Sequence, residues 1–294
     1  MISRSVFFLS FFLSFVTLPG ECTANPKYML LQCAPNCQTC HQLSYDLRCP
    51  FDRDAPGIWQ PGDLDRMFER ITTDSDMITN YHPTILSNPD TFGPWIVVLE
   101  NVVTPEESQT LIDLGAVIGY ELSKDVGKRL FDGTFEASQS ERRTSTNAWC
   151  YKKCYDHPVT KRVLERIENL TGIPEMNSEY LQLLKYEEGQ FYRQHHDYIP
   201  HNLQRPQGVR ILTVFLYLND VEAGGGTRFT SLNLTVSAKQ GRALLWPNVY
   251  NQSPDRKDPR TEHEALPVEK GIKYGANAWI HQRDFKTPYS NDCK

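Results

Sequence analysis

The sequence of 294 residues has no long hydrophobic run, no excess of basic charge and no repeated or low-complexity tract. No apolar stretch reaches the roughly 20 residues that a helix needs to span a bilayer, so we expect no polytopic membrane protein. The 31 basic and 36 acidic residues leave a net charge of −5, which argues against a nucleic-acid-binding surface. The remaining composition, 39% hydrophobic and 23% charged, is typical of a globular protein with one or two domains.

The first twenty residues differ in character from the rest. Arg4 precedes a mostly apolar stretch over residues 6–18, and Pro19 and Gly20 end it. This order is typical of a secretory signal peptide, whereas a buried helix and an uncleaved anchor are the alternatives. We therefore predict a signal peptide over residues 1–20, a location in the endoplasmic reticulum lumen or outside the cell, and no membrane span after cleavage.

Three glycosylation sequons agree with a secretory route. They begin at Asn169, Asn233 and Asn251, each followed two residues later by Thr or Ser. The sequence thus predicts a glycoprotein.

Eight cysteines are present, and five of them lie between residues 22 and 49. In an oxidising compartment this density is typical of a small disulfide-stapled module, which we place at residues 21–50. The pair Cys37 and Cys40 also has the spacing of zinc ligands, so a zinc knuckle is the alternative. Cys150 and Cys154 are either a local disulfide or a redox pair. We favour the disulfide, because nothing nearby indicates a lowered thiol pKa.

The spacing of Cys22, Cys33, Cys37 and Cys40 resembles the C-terminal half of a ShK-toxin-like domain. The resemblance implies a disulfide between Cys22 and Cys37. The family partners of Cys33 and Cys40 are missing, and Cys49 is a candidate to replace one of them.

Helical signals dominate the next part of the chain. Residues 51–92 are predicted to be a connector with one helix over 63–71, and residues 93–288 the main domain. Thr104 with Pro105 and Glu107 predicts the start of a second helix, and residues 157–172 have the apolar spacing of a third. Trp95 and Trp149 are assigned to the core. One strand pattern, at 94–103, precedes the second helix. Four more follow the third helix, at 180–186, 209–218, 242–246 and 272–281. The order predicts an α+β fold, or an all-β barrel with helical supports.

The most informative segment, residues 186–198, contains His195 and Asp197. Residues two apart on a strand point to the same side, so the imidazole and the carboxylate can bind one metal ion. His263 is the leading candidate for a third ligand. Two histidines and one carboxylate on one face of an octahedron are the ligand set of non-heme Fe(II) oxygenases. His196 faces the opposite side and is interpreted as structural.

Ten residues after His263 comes a strand-like run from Lys273 to His281. By alternation, Lys273, Trp279 and His281 share one face. If that face lines a barrel, the ammonium group is buried near the metal, and it then requires an anionic partner. A dicarboxylate co-substrate would supply that partner.

Four motifs between residues 186 and 281 together resemble one family. They are Tyr186-x-x-Gly-Gln-x-Tyr-x-x-His-x-Asp197, Arg210-x-x-Thr213-x-x-x-Tyr217-Leu-Asn219, Gly225-Gly-Thr227-x-Phe229, and Asp258-Pro-Arg-Thr-x-His263, which continues to Lys273 and Trp279-Ile-His281. In this order they resemble the 2-oxoglutarate- and Fe(II)-dependent prolyl 4-hydroxylases. The resemblance implies a double-stranded β-helix, or jelly roll, with supporting helices.

The resemblance also implies roles for single residues. Fe(II) would be bound by His195, Asp197 and His263. The distal carboxylate of 2-oxoglutarate would be held by Lys273, Tyr186 and Thr227. The remaining matched positions lie near the peptide substrate in the family: Tyr192 and Trp279 as substrate-binding residues, Arg210 and His281 as catalytic residues. The implied reaction hydroxylates C4 of a peptidyl proline with O₂ and releases succinate and CO₂, with ascorbate keeping the iron reduced.

Two other functions remain open at this point. One is a related oxygenase that acts on another residue, such as lysine, or on a small molecule. The other is a secreted binding protein in which the cysteine-rich module is the working part and the barrel a scaffold.

Overall fold

The structure is a computed structural model, and it describes residues 21–24, 49, 52, 54–129, 135–139, 141–291 and 293. For residues 124–129 and 135–139 it describes the backbone alone. The helices are α1 (Glu21–Ala24), α2 (Asp63–Thr73), α3 (Ser75–Tyr81), α4 (Pro105–Ile118), α5 (Pro158–Thr171) and α6 (Lys286–Ser290). Short 3₁₀ turns occupy Pro89–Thr91, Glu175–Asn177, Pro200–Gln204, Thr230–Leu232 and Pro259–Thr261.

Eighteen strands are described, most of them short. They are β1 (Thr84–Ser87), β2 (Ile96–Leu99), β3 (Glu121–Leu122), β4 (Lys124–Arg129), β5 (Phe135–Gln139), β6 (Thr146–Trp149), β7 (Gln182–Tyr186), β8 (Tyr192–His195), β9 (Arg210–Tyr217), β10 (Ala223–Gly224), β11 (Thr227–Phe229), β12 (Leu234–Val236), β13 (Ala243–Pro247), β14 (Val249–Tyr250), β15 (Ser253–Lys257), β16 (His263–Ala265), β17 (Val268–Lys270) and β18 (Lys273–His281).

The predicted helices are present, and their ends follow from their caps. Thr104 accepts a hydrogen bond from the amide of Glu107, whose carboxylate in turn accepts one from the Thr104 amide, so a capping box starts α4. In α2 the buried residues are Leu64, Met67, Phe68 and Ile71, which is the apolar face that the helical spacing predicts.

Two antiparallel sheets form the main body. The larger has the strand order β1-β2-β13-β9-β18-β7-β6-β3, and the smaller has the order β12-β11-β16-β8. The central strand β9 is buried from Ile211 to Tyr217, as its continuous apolar run predicts. This two-sheet arrangement, with helices on one side, confirms the predicted jelly roll with supporting helices.

The apolar core has two parts. One lies between the larger sheet and the helices and includes Phe68, Leu111 and Val163. The other lies on the opposite face of that sheet, towards the smaller sheet, and includes Phe229 and Trp246. This second, inner core surrounds the cleft between the sheets, where the predicted site residues meet.

The predicted connector is more structured than a single helix. A second helix, α3, follows α2, and β1 pairs with β2 at the edge of the larger sheet. Residues 55–59 also bond to the end of β18: the Ile58 amide donates to the Gln282 carbonyl at 2.7 Å, and Arg283 donates to the Ala55 carbonyl. The segment thus supplies one edge strand of the larger sheet and also contacts the residues that follow its inner strand β18.

Disulfides secure this arrangement. Cys49 is bonded to Cys293, so the expectation that Cys49 replaces a partner of Cys33 or Cys40 is wrong. The predicted staple between Cys150 and Cys154 is confirmed. Cys22 is disulfide-bonded, but Cys33, Cys37 and Cys40, like the predicted signal peptide, lie outside the described residues. Within the described part of the chain, no helix combines the length and the apolar character that a membrane crossing requires.

Candidate metal centre and active site

Strand pairing brings the three predicted metal ligands together. β8 ends at His195, β16 begins at His263, and the two histidines are opposite each other in the smaller sheet. Asp197 follows β8 by two residues. One ligand atom from each of the three side chains lies within 4.8 Å of the others. Asp197 and His263 are each 5% exposed, so the cluster lies inside the cleft.

Backbone carbonyls set the orientation of both imidazole rings. Nδ1 of His195 lies 2.8 Å from the Arg193 carbonyl, and Nδ1 of His263 lies 3.0 Å from the Thr261 carbonyl. A carbonyl can only accept, so each Nδ1 carries the proton and each Nε2 presents a lone pair. The Nε2 atoms lie 3.9 and 3.8 Å from the Asp197 carboxylate. This is the tautomer that metal-binding histidines adopt.

The protonation states suit a cation. Burial, together with the neighbouring His263, lowers the pKa of His195 well below its usual range, so this ring is neutral at pH 7. Burial alone would raise the pKa of Asp197, but His263, His195 and Arg210 lower it below its ordinary value. The carboxylate also accepts a 2.7 Å hydrogen bond from Thr213 Oγ1, which in turn accepts one from Asn248. Imidazole nitrogens from two histidines and one carboxylate oxygen are a donor set that suits a divalent metal.

A buried lysine lies on one side of this cluster. Lys273 begins β18, is paired with Tyr186 of β7, and is 1% exposed. Its Nζ is 5.1 to 5.4 Å from the ring centres of Tyr186, Phe215 and Tyr217. Among the described residues, it has no hydrogen-bond partner. Burial lowers the pKa of Lys273 to about 7, as expected for an ammonium group without a counter-charge.

The lysine and the metal cluster line one inner pocket. Tyr186 and Thr227 also line it, and its empty volume is about 370 Å³. The Thr227 hydroxyl accepts a 2.7 Å hydrogen bond from the Tyr217 hydroxyl, which leaves the Thr227 proton available for a ligand. The structure thus brings together all six residues that were predicted for the metal and the co-substrate.

A second pocket, which we call the outer pocket, shares His195 and Asp197 with the first. It has an empty volume of about 750 Å³, and its lining includes Tyr192, Arg210 and Trp279, all predicted near the substrate. Tyr192 stacks on His195 with ring centres 3.5 Å apart. The guanidinium carbon of Arg210 lies 3.8 Å from the centre of the Trp279 ring.

His281 lies behind this pocket and does not line either pocket. It is 1% exposed, and its Nε2 is 2.8 Å from the carboxylate of Glu179, which also accepts from Arg210 Nε at 2.5 Å. Although burial opposes the ionisation of Glu179, Arg210 and His281 lower its pKa to about 2. His281 therefore contacts the pocket only through Glu179 and Arg210, which makes it a positioning residue.

The structure also shows site residues that sequence reasoning missed. Arg143 is buried against the ring of Tyr192, 4.6 Å from its centre, and lines the outer pocket with Gln182. The assignment of Trp149 to the core is wrong, since it is half-buried and lines the same pocket. Trp95, in contrast, is buried and stacks on Phe68 in the core, as predicted.

His196 has the structural role that was predicted for it. Its Nε2 lies 2.8 Å from the Asp258 carbonyl, and its Nδ1 accepts from the Tyr198 amide at 2.9 Å. Both ring nitrogens are thus engaged with the backbone and neither is directed at the metal cluster.

Comparisons with known proteins agree with this geometry. The sequence pattern of the 2OG-Fe(II) oxygenase superfamily matches residues 181–281. Prolyl 4-hydroxylase subunit alpha-1 of Rattus norvegicus is 33% identical over 182 residues, which are 57% of this chain and 33% of that protein. The chain spans between a quarter and a third of the length of these alpha subunits.

Two viral proteins match over more of their length. A putative prolyl 4-hydroxylase of Acanthamoeba polyphaga mimivirus is 30% identical over 195 residues, 64% of this chain and 74% of that protein. The fold resembles that of the viral collagen prolyl hydroxylase of Paramecium Bursaria Chlorella virus-1, with a TM-score of 0.50 and 23% identity over 63% of this chain and 95% of that one. The chain therefore belongs to the 2OG-Fe(II) oxygenase superfamily, in the family of the prolyl 4-hydroxylases.

Proposed function

We propose that the protein is an Fe(II)- and 2-oxoglutarate-dependent dioxygenase that hydroxylates C4 of a peptidyl proline in proteins of the secretory pathway. One observation carries the proposal: the three convergent ligands line a pocket that contains a buried lysine without a counter-charge, and two of them, His195 and Asp197, also line a second, larger pocket. The first pocket suits a small dianion, and the second suits a peptide.

The residues present fit both absent groups. His195, Asp197 and His263 would hold Fe(II) on one face and leave the opposite positions open. Lys273 would bind the distal carboxylate of 2-oxoglutarate, because a buried ammonium group without a partner gains most from an anion. The Thr227 hydroxyl and the Tyr186 ring would fix the position of that carboxylate. With O₂, the bound iron and co-substrate supply the oxidising chemistry, which releases succinate and CO₂.

The outer pocket fits a proline residue. A peptidyl proline has no N–H and offers only carbonyl acceptors, and the pocket provides donors from the guanidinium groups of Arg143 and Arg210. The aromatic faces of Tyr192 and Trp279 would pack against the apolar ring. Glu179 keeps Arg210 in place by its hydrogen bond, so the donor is oriented before a substrate arrives.

Sequence features support the cellular setting. The signal-like segment over residues 1–20, the three sequons and the two observed disulfides are all typical of a chain that folds in the secretory pathway. We propose that ascorbate acts there as the reductant that keeps the iron in its ferrous state.

Succinate release tests the proposal. The purified full chain is incubated with Fe(II), 2-oxoglutarate and ascorbate, with and without proline-rich peptides. We expect peptide-dependent succinate, a gain of one oxygen on proline by mass spectrometry, and 4-hydroxyproline after hydrolysis. Succinate release together with oxidation of lysine or of a small molecule would show that the enzyme is an oxygenase of this kind that does not act on proline. Absence of turnover with metal bound would instead favour a scaffold that presents the cysteine-rich module.

Two variants connect the activity to the site. His263→Ala should abolish Fe(II)-dependent turnover, and Lys273→Ala should strongly raise the 2-oxoglutarate concentration that turnover requires. The matched control is Lys270→Ala, because this lysine is 69% exposed and contacts Glu222 away from the pockets. An unchanged 2-oxoglutarate requirement in Lys273→Ala would show that the anion binds elsewhere.

A further inference from the structure

A short chain of side-chain hydrogen bonds joins the two pockets. Gln182 of β7 is 3% exposed and lines the outer pocket. Its Oε1 accepts from Arg143 Nη2 at 3.0 Å and from Asn277 Nδ2 at 3.2 Å, and its Nε2 donates to Asn147 Oδ1 at 2.9 Å. Arg143 also lines the outer pocket, whereas Asn277 lines the inner one. We call these four residues the amide chain; it connects the proposed peptide position with the proposed anion position.

Arg143 sets the direction of this chain. A guanidinium group has donors but no acceptor, so Gln182 turns its oxygen towards it. Asn277 then presents its amino group to the same oxygen, and its own Oδ1 points away from Gln182. The other members are carboxamides, with an acceptor at one end and donors at the other, and Asn147 ends on the Ser123 hydroxyl, which can donate or accept. Without the demand of Arg143, the three amides can therefore all reverse and keep their mutual hydrogen bonds.

Reversal changes what the inner pocket offers to an anion. In the observed state the amino group of Asn277 is bonded to Gln182, so the side chain has only an acceptor to offer, and a dianion has no proton to donate to it. In the reversed state Asn277 accepts from Gln182, and its amino group is available to a bound dianion. Asn277 lies four residues after Lys273 on the same face of β18, and both line the inner pocket. The reversed state therefore binds a dianion more tightly.

We propose that the amide chain is a two-state link by which peptide binding strengthens the binding of the co-substrate. A peptide carbonyl that accepts from Arg143 takes the place of Gln182, and the chain is then free to reverse. This inference rests on the proposed function, which supplies the peptide and the dianion. One hydrogen bond to a charged group is gained, so the affinity for 2-oxoglutarate should rise about tenfold, within the usual range of allosteric coupling.

The affinity for 2-oxoglutarate reports the state of the chain without turnover. The full chain, loaded with Mn²⁺, is titrated calorimetrically with 2-oxoglutarate, alone and with a saturating proline-rich peptide. In wild type we expect about tenfold tighter binding when the peptide is present. Because coupling is reciprocal, titration with the peptide, with and without 2-oxoglutarate, should give the same factor.

Two substitutions of Gln182 have opposite expected effects. Gln182→Glu has only acceptors and keeps the observed direction, so 2-oxoglutarate should bind weakly with and without the peptide. Gln182→Met removes the link and leaves Asn277 free to rotate, so 2-oxoglutarate should bind about tenfold more tightly than to peptide-free wild type, and the peptide should add little. A role in packing alone would weaken binding in both variants.

The matched control is Gln207→Met. Gln207 is also buried, at 5% exposed, and lines neither pocket, so this variant should keep the wild-type effect of the peptide. If Gln182→Met does not fold, Asn277→Leu cuts the chain at its inner end. That variant has no amino group to offer, so 2-oxoglutarate should bind to it weakly whether or not the peptide is present.

Separate outcomes refute the link and the proposed function. Proline hydroxylation by a wild type whose affinity for 2-oxoglutarate does not change with the peptide refutes the link alone, as does a Gln182→Glu variant that keeps the effect of the peptide. Tightening that is lost in Gln182→Glu, without any oxidation of proline by the wild type, would leave the link standing and refute the reaction. Failure of the wild type to bind 2-oxoglutarate or the peptide would refute both.

Discussion

A single hydroxyl group behind the metal cluster provides the sharpest test of the site. Thr213 is fully buried in β9, and its Oγ1 donates to Asp197 Oδ2 at 2.7 Å while it accepts from Asn248 Nδ2 at 3.0 Å. Thr213→Val removes this hydroxyl and keeps the branched shape of the side chain. Asp197 then loses the bond that orients its carboxylate, and the buried Asn248 amide loses its acceptor.

The expected size of the effect follows from the kind of bond that is lost. Removal of a group that hydrogen-bonds to a metal-ligating side chain lowers the metal affinity about 10- to 100-fold. This range agrees with the roughly 1.5–3 kcal/mol of a hydrogen bond to a charged group, since 1.4 kcal/mol corresponds to a factor of ten. The unsatisfied Asn248 amide should also lower the free energy of unfolding, by about 1–3 kcal/mol.

Anaerobic titration with Mn²⁺, followed by electron paramagnetic resonance of the free ion, measures the affinity without turnover. Thr213→Ser restores the hydroxyl and should bring the affinity close to that of wild type. Thr160→Val is the matched control, because Thr160 is also fully buried but lies in α5, away from the cleft. If Thr213→Val binds Mn²⁺ within twofold of wild type, Thr213 does not support the metal ligand.

Three further predictions concern stability and modification. Because burial lowers the pKa of Lys273 to about 7, the unfolded chain binds a proton there between pH 7 and about 10.4 that the folded, ligand-free chain lacks. The free energy of unfolding should therefore rise with pH across this window, by up to roughly 5 kcal/mol. Urea titrations of Lys273→Met should show no such rise. If the free energy of unfolding has the same pH dependence in wild type and in Lys273→Met, the buried lysine is not neutral in the folded chain. The Cys49–Cys293 disulfide spans 244 residues and the Cys150–Cys154 disulfide only 4. Loop entropy therefore predicts that replacing both cysteines by serine lowers the free energy of unfolding by about 5 kcal/mol for the first pair and about 2 kcal/mol for the second. Equal losses of stability in thermal unfolding would contradict that account. After secretory expression, mass spectrometry should find glycans at Asn169 and Asn233, which are exposed, but not at Asn251, whose side-chain amide bonds Asp65; an occupied Asn251 would show that α2 docks later than glycan transfer.

Local patterns were sufficient to predict most elements and part of the site. The capping box at Thr104 and the apolar spacing of α2 depend on neighbours within four residues, so a sequence shows them directly. The same holds for His195 and Asp197, since alternation along one extended segment places them together. Lys273 was identified because a lysine in an otherwise apolar strand has to face a site or solvent.

Contacts between distant segments were not predictable in this way. Glu179 and Arg210 are 31 residues apart and meet across strands, and Cys49 and Cys293 are separated by 244 residues. The pocket position of Trp149 was not predictable, because period-two alternation shows which residues share a face but not whether that face meets the core or a pocket. Arg143 was missed for the same reason, since its role depends on Tyr192 from another strand.

The strand β18 explains why anion, metal and peptide positions form one site. Lys273 is its first residue and Trp279 its seventh, and alternation places both on the face that lines the inner pocket. At about 3.4 Å per residue, their Cα atoms are about 20 Å apart along the strand. Pairing with β9 and β7 on either side fixes the position of β18 between them. The distance between the proposed positions of the anion and the peptide is therefore set by backbone hydrogen bonds. Trp279 is the one residue of this strand that lines both pockets. A change of peptide specificity can then arise at Trp279 without moving Lys273 or the metal ligands.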